Sequence, residues 1–196
     1  MFYSIAHIIF AIISKIFFPI KVSGLENIPS QGSFIFASNH LSNLDPMILG
    51  LASGRRLNYM AKQSLFENKF FARVLNWVGA FPVKRESMDI GAVKEAIARL
   101  KAGGGLVIFP EGTRKALQKA DEVLPGVGFL AVKSGAKVIP VFIKGSDVVL
   151  PPRAKALKRA AVDVVFGKSV HYSSKEPYEN IASRIMEQIQ EISTAV

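Results

Sequence analysis

The sequence predicts an α/β fold: a single domain whose mostly parallel or mixed sheet is flanked by helices, preceded by an N-terminal membrane-associating helix. Two observations predict the domain. From about Pro19 onward, short apolar runs bounded by turn residues alternate with longer stretches whose apolar residues recur at helical spacing. At 196 residues the chain is long enough for one sizeable core, and no repeat or linker divides it. A third observation, one long apolar segment at the start, predicts the additional helix.

Residues 2–18 form that segment. It has no basic leading region and no small-residue cleavage site, so it is expected to be retained. Wound as a helix, it places Ser4, His7, Ala11 and Ser14 on one narrow stripe. Phe2, Ile5, Ile9, Phe10, Ile12, Ile13, Ile16 and Phe17 cover the remainder. A wide apolar face with a thin polar stripe suits a helix lying in, or dipping into, one leaflet. Lys15 disfavours a full crossing, as does a reach of roughly 25–30 Å at about 1.5 Å per residue. Burial in the core or a subunit contact is the alternative. The expected division is residues 1–20 as this helix and 21–196 as the domain.

Within the domain, residues 34–37 read as a short apolar strand. Asp45 then reads as an N-cap with Pro46 at the first helical position, opening a helix to about Leu51. Residues 57–60 are a strand. Ser64-Leu65-Phe66-Glu67 reads as a capping box, with Phe66, Phe70, Val74 and Trp77 as the stripe of the helix behind it. Residues 80–83 return as strand. Ile90, Val93, Ile97 and Leu100 make an amphipathic helix that Gly103-Gly104-Gly105 ends. Strands follow at 106–109, 138–143 and 162–166, with a helix at 126–134. A closing helix carries Ile181, Ile185, Ile189 and Ile192. Arg153-Ala154-Lys155-Ala156-Leu157-Lys158-Arg159 is a basic run, either a solvated loop or a patch facing lipid headgroups.

Composition narrows the function classes. Hydrophobic residues make up 49% of the chain, yet its net charge is +10. Apolar burial and Lys/Arg attraction to headgroups act together at an anionic membrane. A nucleic-acid binder would share the charge but not the apolar excess, and most aromatics here lie in apolar runs. There is no cysteine, so disulfides and thiolate sites are absent. His7, His40 and His171 lack ligand-like spacing, so no metal site is expected.

Ligands of such sheets bind in loops beyond the carboxyl ends of the strands. One such loop, Ser38 to Pro46, holds His40 and Asp45, five residues apart. That is too far for one regular helix face, but a turn running into a helix start can fold the carboxylate back onto the imidazole. The carboxylate then fixes the tautomer and leaves the other ring nitrogen free to take a proton from a hydroxyl. A histidine that merely caps a loop amide is the other possibility. The second loop, Phe109-Pro110-Glu111-Gly112-Thr113-Arg114, puts a glycine where the backbone must turn. It adds a guanidinium whose planar fork matches phosphate. An ordinary turn with a Glu–Arg surface pair has the same sequence.

Together the two loops resemble the glycerolipid acyltransferase family, most closely the bacterial 1-acyl-glycerol-3-phosphate (lysophosphatidic acid) acyltransferases. Gly79-Ala80-Phe81-Pro82-Val83-Lys84-Arg85 is similar to that family's second block, and Val138-Ile139-Pro140-Val141 to its fourth. Residues 61–66 are similar to its lysine-bearing segment between the first two blocks. The resemblance spans about residues 22–170. It implies that His40 is general base towards the acceptor hydroxyl, oriented by Asp45. Arg85, Arg114 and Lys62 would hold the acceptor phosphate, Glu111 and Gly112 would shape the loop around the acceptor, and Thr113 would join them in binding it. Leu124, before Pro125 and Gly126, stands where many members carry a lysine.

The implied reaction moves a fatty acyl group from acyl-CoA or an acyl carrier protein to a lysophospholipid acceptor. It needs no cofactor and no metal, and involves no nucleic acid. No Gly-x-Ser-x-Gly elbow is present to form an acyl-enzyme. Main-chain N–H groups near the two loops are expected to form the oxyanion hole. The expected location is the cytoplasmic face of the cell membrane, peripheral or monotopic, on anionic lipid. Rivals are the same chemistry on glycerol 3-phosphate or another lysolipid, a lipid hydrolase, and a non-catalytic basic lipid-surface binding protein.

Overall fold

The protein is described by a computed structural model covering residues 2–84, 89–112, 125–154, 156–173 and 175–195. Helix α1 (Phe2–Phe17) precedes β1 (Ile20–Ser23), β2 (Phe34–Ser38), α2 (Asp45–Ser53) and β3 (Leu57–Lys62). Then come α3 (Lys69–Trp77), β4 (Ala80–Val83), α4 (Ile90–Lys101), β5 (Gly105–Ile108) and α5 (Gly126–Ser134). The remainder is β6 (Lys137–Lys144), α6 (Ser146–Val149), β7 (Val162–Phe166) and α7 (Tyr178–Thr194).

Seven strands form one mixed sheet in the order β1-β7-β6-β2-β5-β3-β4. The five from β6 to β4 are parallel to their neighbours, whereas β7 runs antiparallel to β6 and parallel to β1. The central strand β2 is buried along its whole length, which is why it reads as a continuous apolar run. Its side chains divide between two cores with period two. Ile35 and Ala37 join α4, α5 and α7 on one face, while Phe34 and Phe36 join α1 and α2 on the other. Gly128 lets α5 lie directly on α7, since a Cβ there would fall on the Tyr178 carbonyl.

Several local expectations are corrected. Asp45 is not the N-cap of α2. Leu44 holds that position without a side-chain cap, and Asp45 is already helical, its carboxylate committed to the preceding loop. The Ser64 capping box does not form. Residues Gln63–Phe66 make a 3-10 turn, and α3 starts later, capped by Asn68, which accepts from the Phe70 and Phe71 amides at 3.0 and 3.1 Å. The stripe assigned to that helix does not enter the core. Phe70 and Trp77 are exposed, because α3 packs mainly at the sheet edge, beside β4 and the 3-10 turn. On α4 the side chains buried deepest are Ala92, Ala96 and Leu100, while Ile90 is exposed. Small residues bring this helix close to the sheet. Strand β1 and helix α6 are additions that the apolar pattern does not announce.

Candidate active site

Parallel pairing brings the carboxyl ends of β6, β2, β5, β3 and β4 to one edge of the sheet. The site is built at that edge, starting where β2 runs out. Strand β2 pairs with β6 up to Ser38 opposite Val141. Beyond it the side chain of Asn39 takes over. Its Nδ2 donates to the Ile143 carbonyl and its Oδ1 accepts from the Ile143 amide, each at 2.8 Å. Asn39 is fully buried, so the amide completes the sheet where the backbone has turned away.

That anchor delivers His40 to the start of the loop. Asp45 Oδ2 lies 2.7 Å from His40 Nδ1 and also accepts from the amides of Leu41 and Ser42, at 2.7 and 2.8 Å. Asp45 is fully buried, and among the described residues its Oδ1 has no hydrogen-bond partner. With Nδ1 donating to the carboxylate, Nε2 is the nitrogen left to accept a proton. The ring keeps an accessible edge, its side chain being 11% exposed. Phe109, the first residue after β5, stacks on the imidazole, centroids 4.0 Å apart and planes at 18°. A wall on one side, a carboxylate on one nitrogen and an anchor one residue back leave the ring little freedom.

The second loop enters from β5. Pro110 and Glu111 are buried, and Gly112 turns the chain at φ 66°, its amide donating to the Phe109 carbonyl at 2.9 Å. Lys62 ends β3 on the same edge and is exposed. Of the sequence-predicted phosphate contacts, Arg85, Thr113 and Arg114 lie outside the described residues. The expectation of main-chain oxyanion donors is narrowed. The amides of Leu41 and Ser42 are committed to Asp45, and that of Gly112 to Phe109.

Three positioning groups escape sequence reasoning: Asn39, Phe109 and Ser42, whose hydroxyl donates to the Leu150 carbonyl at 2.9 Å. Each lies within the two motif loops or next to the site. Each, however, acts on a partner far along the chain, and nothing in one-dimensional spacing points there. Among the described residues no group of three His, Asp or Glu is placed to hold a metal ion.

A family model described as Acyltransferase matches residues 19–144. The 1-acyl-sn-glycerol-3-phosphate acyltransferase of Bacillus subtilis is 30% identical over 88% of this chain and 87% of its own. The chloroplastic enzyme LPAT1 of Arabidopsis thaliana, of the same description, is 30% identical over 87% of this chain. This chain spans about half (49%) of that longer relative. The crystal structure of the 1-acyl-sn-glycerophosphate acyltransferase PlsC from Thermotoga maritima superposes with a TM-score of 0.68 at 27% identity, covering 90% of this chain and 73% of that one. The model match takes in both motif loops, and the Bacillus relative matches over nearly its whole length: the chain belongs to the acyltransferase family, alongside the bacterial 1-acyl-sn-glycerol-3-phosphate acyltransferases.

Proposed function

We propose that the protein transfers a fatty acyl group from an acyl thioester to the sn-2 hydroxyl of 1-acyl-glycerol-3-phosphate, giving phosphatidic acid. The donor is acyl-CoA or an acyl carrier protein. The observation that carries this is the 2.7 Å contact of Asp45 with His40 Nδ1 at the carboxyl edge of the sheet. His40 Nε2 removes the acceptor hydroxyl proton as the oxygen attacks the thioester carbonyl. The tetrahedral intermediate collapses, the C–S bond breaks, and the imidazolium returns its proton to the departing thiolate. Asp45 keeps the proton on Nδ1 and faces the positive charge that appears transiently on the ring. Lys62, with Arg85 and Arg114, holds the acceptor phosphate, so that binding of a remote group orients the reacting hydroxyl.

Membrane attachment at the cytoplasmic face, through α1, is part of the proposal. Ile5, Ile8, Ile9, Ile12 and Ile16 are 46–58% exposed, while Ser14 of the polar stripe is buried against the protein. This helix therefore turns its greasy side outward, the reverse of a water-facing helix. Among the described residues no helix is long and apolar enough to cross a membrane. Taking up the exposed halves of these five side chains into a leaflet would contribute roughly 4–7 kcal/mol. The test is labelled thioesters of several lengths offered with vesicle-borne lysophosphatidic acid. Formation of labelled phosphatidic acid supports the proposal. Free fatty acid without acylated lipid would identify a hydrolase instead, and preference for glycerol 3-phosphate in the same assay would reassign the acceptor.

A further inference from the structure

The segment joining β6 to β7, residues 145–161, carries Arg153, Lys155, Lys158 and Arg159 against a single acid, Asp147. Its place follows from the sheet. Strands β6 and β7 are antiparallel, with Lys144 opposite Asp163, so the segment turns round at the edge where β2 delivers His40. Strand β1 lies parallel to β7, Ile20 opposite Val162, so α1 also brings its last turn to that edge.

Hydrogen bonds join the three pieces. The Ala160 amide donates to the Phe17 carbonyl at 3.1 Å, tying the segment to the end of α1. Ser42 Oγ donates to the Leu150 carbonyl, tying it to the loop that holds His40 and Asp45. Leu150, Leu157 and Ala160 pack on the core beneath α1 and α2, while Arg153, Lys158 and Arg159 are exposed. Large apolar side chains are exposed on the segment's own helix α6, at Val148, and on the neighbouring elements: Ile16 and Phe17 on α1 and Met47 in the first turn of α2. Arg153 holds φ 72°, a conformation that glycine adopts with less strain.

We infer that Arg153, Lys158 and Arg159, on the segment joining β6 to β7, form a docking element for anionic phospholipid headgroups, set beside the apolar face of α1. It rests on the proposal that the acceptor is taken from a bilayer, and it names the chemistry that the membrane must present. The exposed cations meet the phosphates while Phe17, Met47 and Val148 enter the layer beneath them. Because Ser42 joins this element to the catalytic loop, docking holds His40 at the lipid surface.

The test compares wild type with a variant carrying Arg153→Gln, Lys158→Gln and Arg159→Gln. A second variant, with Lys94→Gln, Lys101→Gln and Lys137→Gln, removes three exposed charges elsewhere. Co-sedimentation is measured with phosphatidylcholine vesicles, with and without phosphatidylglycerol, and acyl transfer with water-soluble short-chain donor and acceptor. The loop variant should lose anionic-vesicle partitioning on the order of 100-fold, taking about 1 kcal/mol per basic residue near the surface. It should keep its phosphatidylcholine binding and its transfer to the soluble acceptor, and the second variant should partition like wild type. Equal losses in both variants, or no loss in the loop variant, would overturn the inference. So would wild-type binding that phosphatidylglycerol does not strengthen or salt does not weaken, a result that requires no variant to fold. Absence of transfer by wild type to any acceptor would instead strike the proposed reaction.

Discussion

Oδ2 of Asp45 is 2.7 Å from Nδ1 of His40, and the same oxygen receives the two amides that follow the histidine. One atom therefore sets the tautomer of the ring and the path of the loop that carries it. The two roles separate by substitution. Asp45→Asn keeps a carbonyl oxygen for the amides but gains an NH2, so imidazole and amides compete for the single acceptor. We expect kcat to fall on the order of 10²–10⁴-fold with the fold retained, read by steady-state kinetics beside circular dichroism.

Asn39 makes a different prediction. Removing its amide in Asn39→Ala leaves both the N–H and the carbonyl of buried Ile143 without these bonds. Each orphaned group costs about 1–3 kcal/mol, so Tm should drop clearly. Because Asn39 precedes the base and touches no substrate in the proposed reaction, kcat should fall while donor KM stays near wild type.

Asp89 caps α4 through the Ala92 amide at 3.0 Å and reaches back to the Lys84 amide at 2.9 Å. These backbone bonds, that to Lys84 foremost, hold its carboxyl below the ordinary value of 3.8. With the folded value depressed, its contribution to stability is present above pH 3.8 and is lost as pH falls through the lower folded value. Asp89→Ala should therefore melt earlier than wild type at pH 7, and the difference should narrow as pH falls below 3.8. Thermal melts across that range check it.

Arg114 is assigned by family resemblance to the acceptor phosphate. Arg114→Ala should raise the acceptor KM more than the donor KM, and equal effects on both would make it structural. Kinetics with each substrate varied at saturating partner separates the two outcomes.

The parts legible in the sequence are those whose signal is local. Strand β2 shows as an apolar run because both its faces are buried; Gly79 precedes β4, Pro125 and Gly135 flank α5, and Gly167 follows β7. His40 and Asp45 stand out because charged and ionisable groups at a strand's end have no packing purpose. What escapes depends on distant partners. The start of α2 misleads, since Asp45 has the residue type of an N-cap but is drawn to the imidazole. Asn39 looks like any loop residue until Ile143 arrives beside it, 104 positions on. The basic run reads as a surface loop or a headgroup patch until the antiparallel turn of β7 carries it to the catalytic edge.

The central claim is that His40 is the base for transfer to a lipid hydroxyl. Its most direct test is the single-turnover rate of acyl transfer to vesicle-borne lysophosphatidic acid by His40→Ala, with folding and vesicle binding measured on the same sample. The account predicts a loss of about 10²–10⁴-fold with both other properties intact. Turnover near the wild-type rate in that folded, bound variant would contradict it.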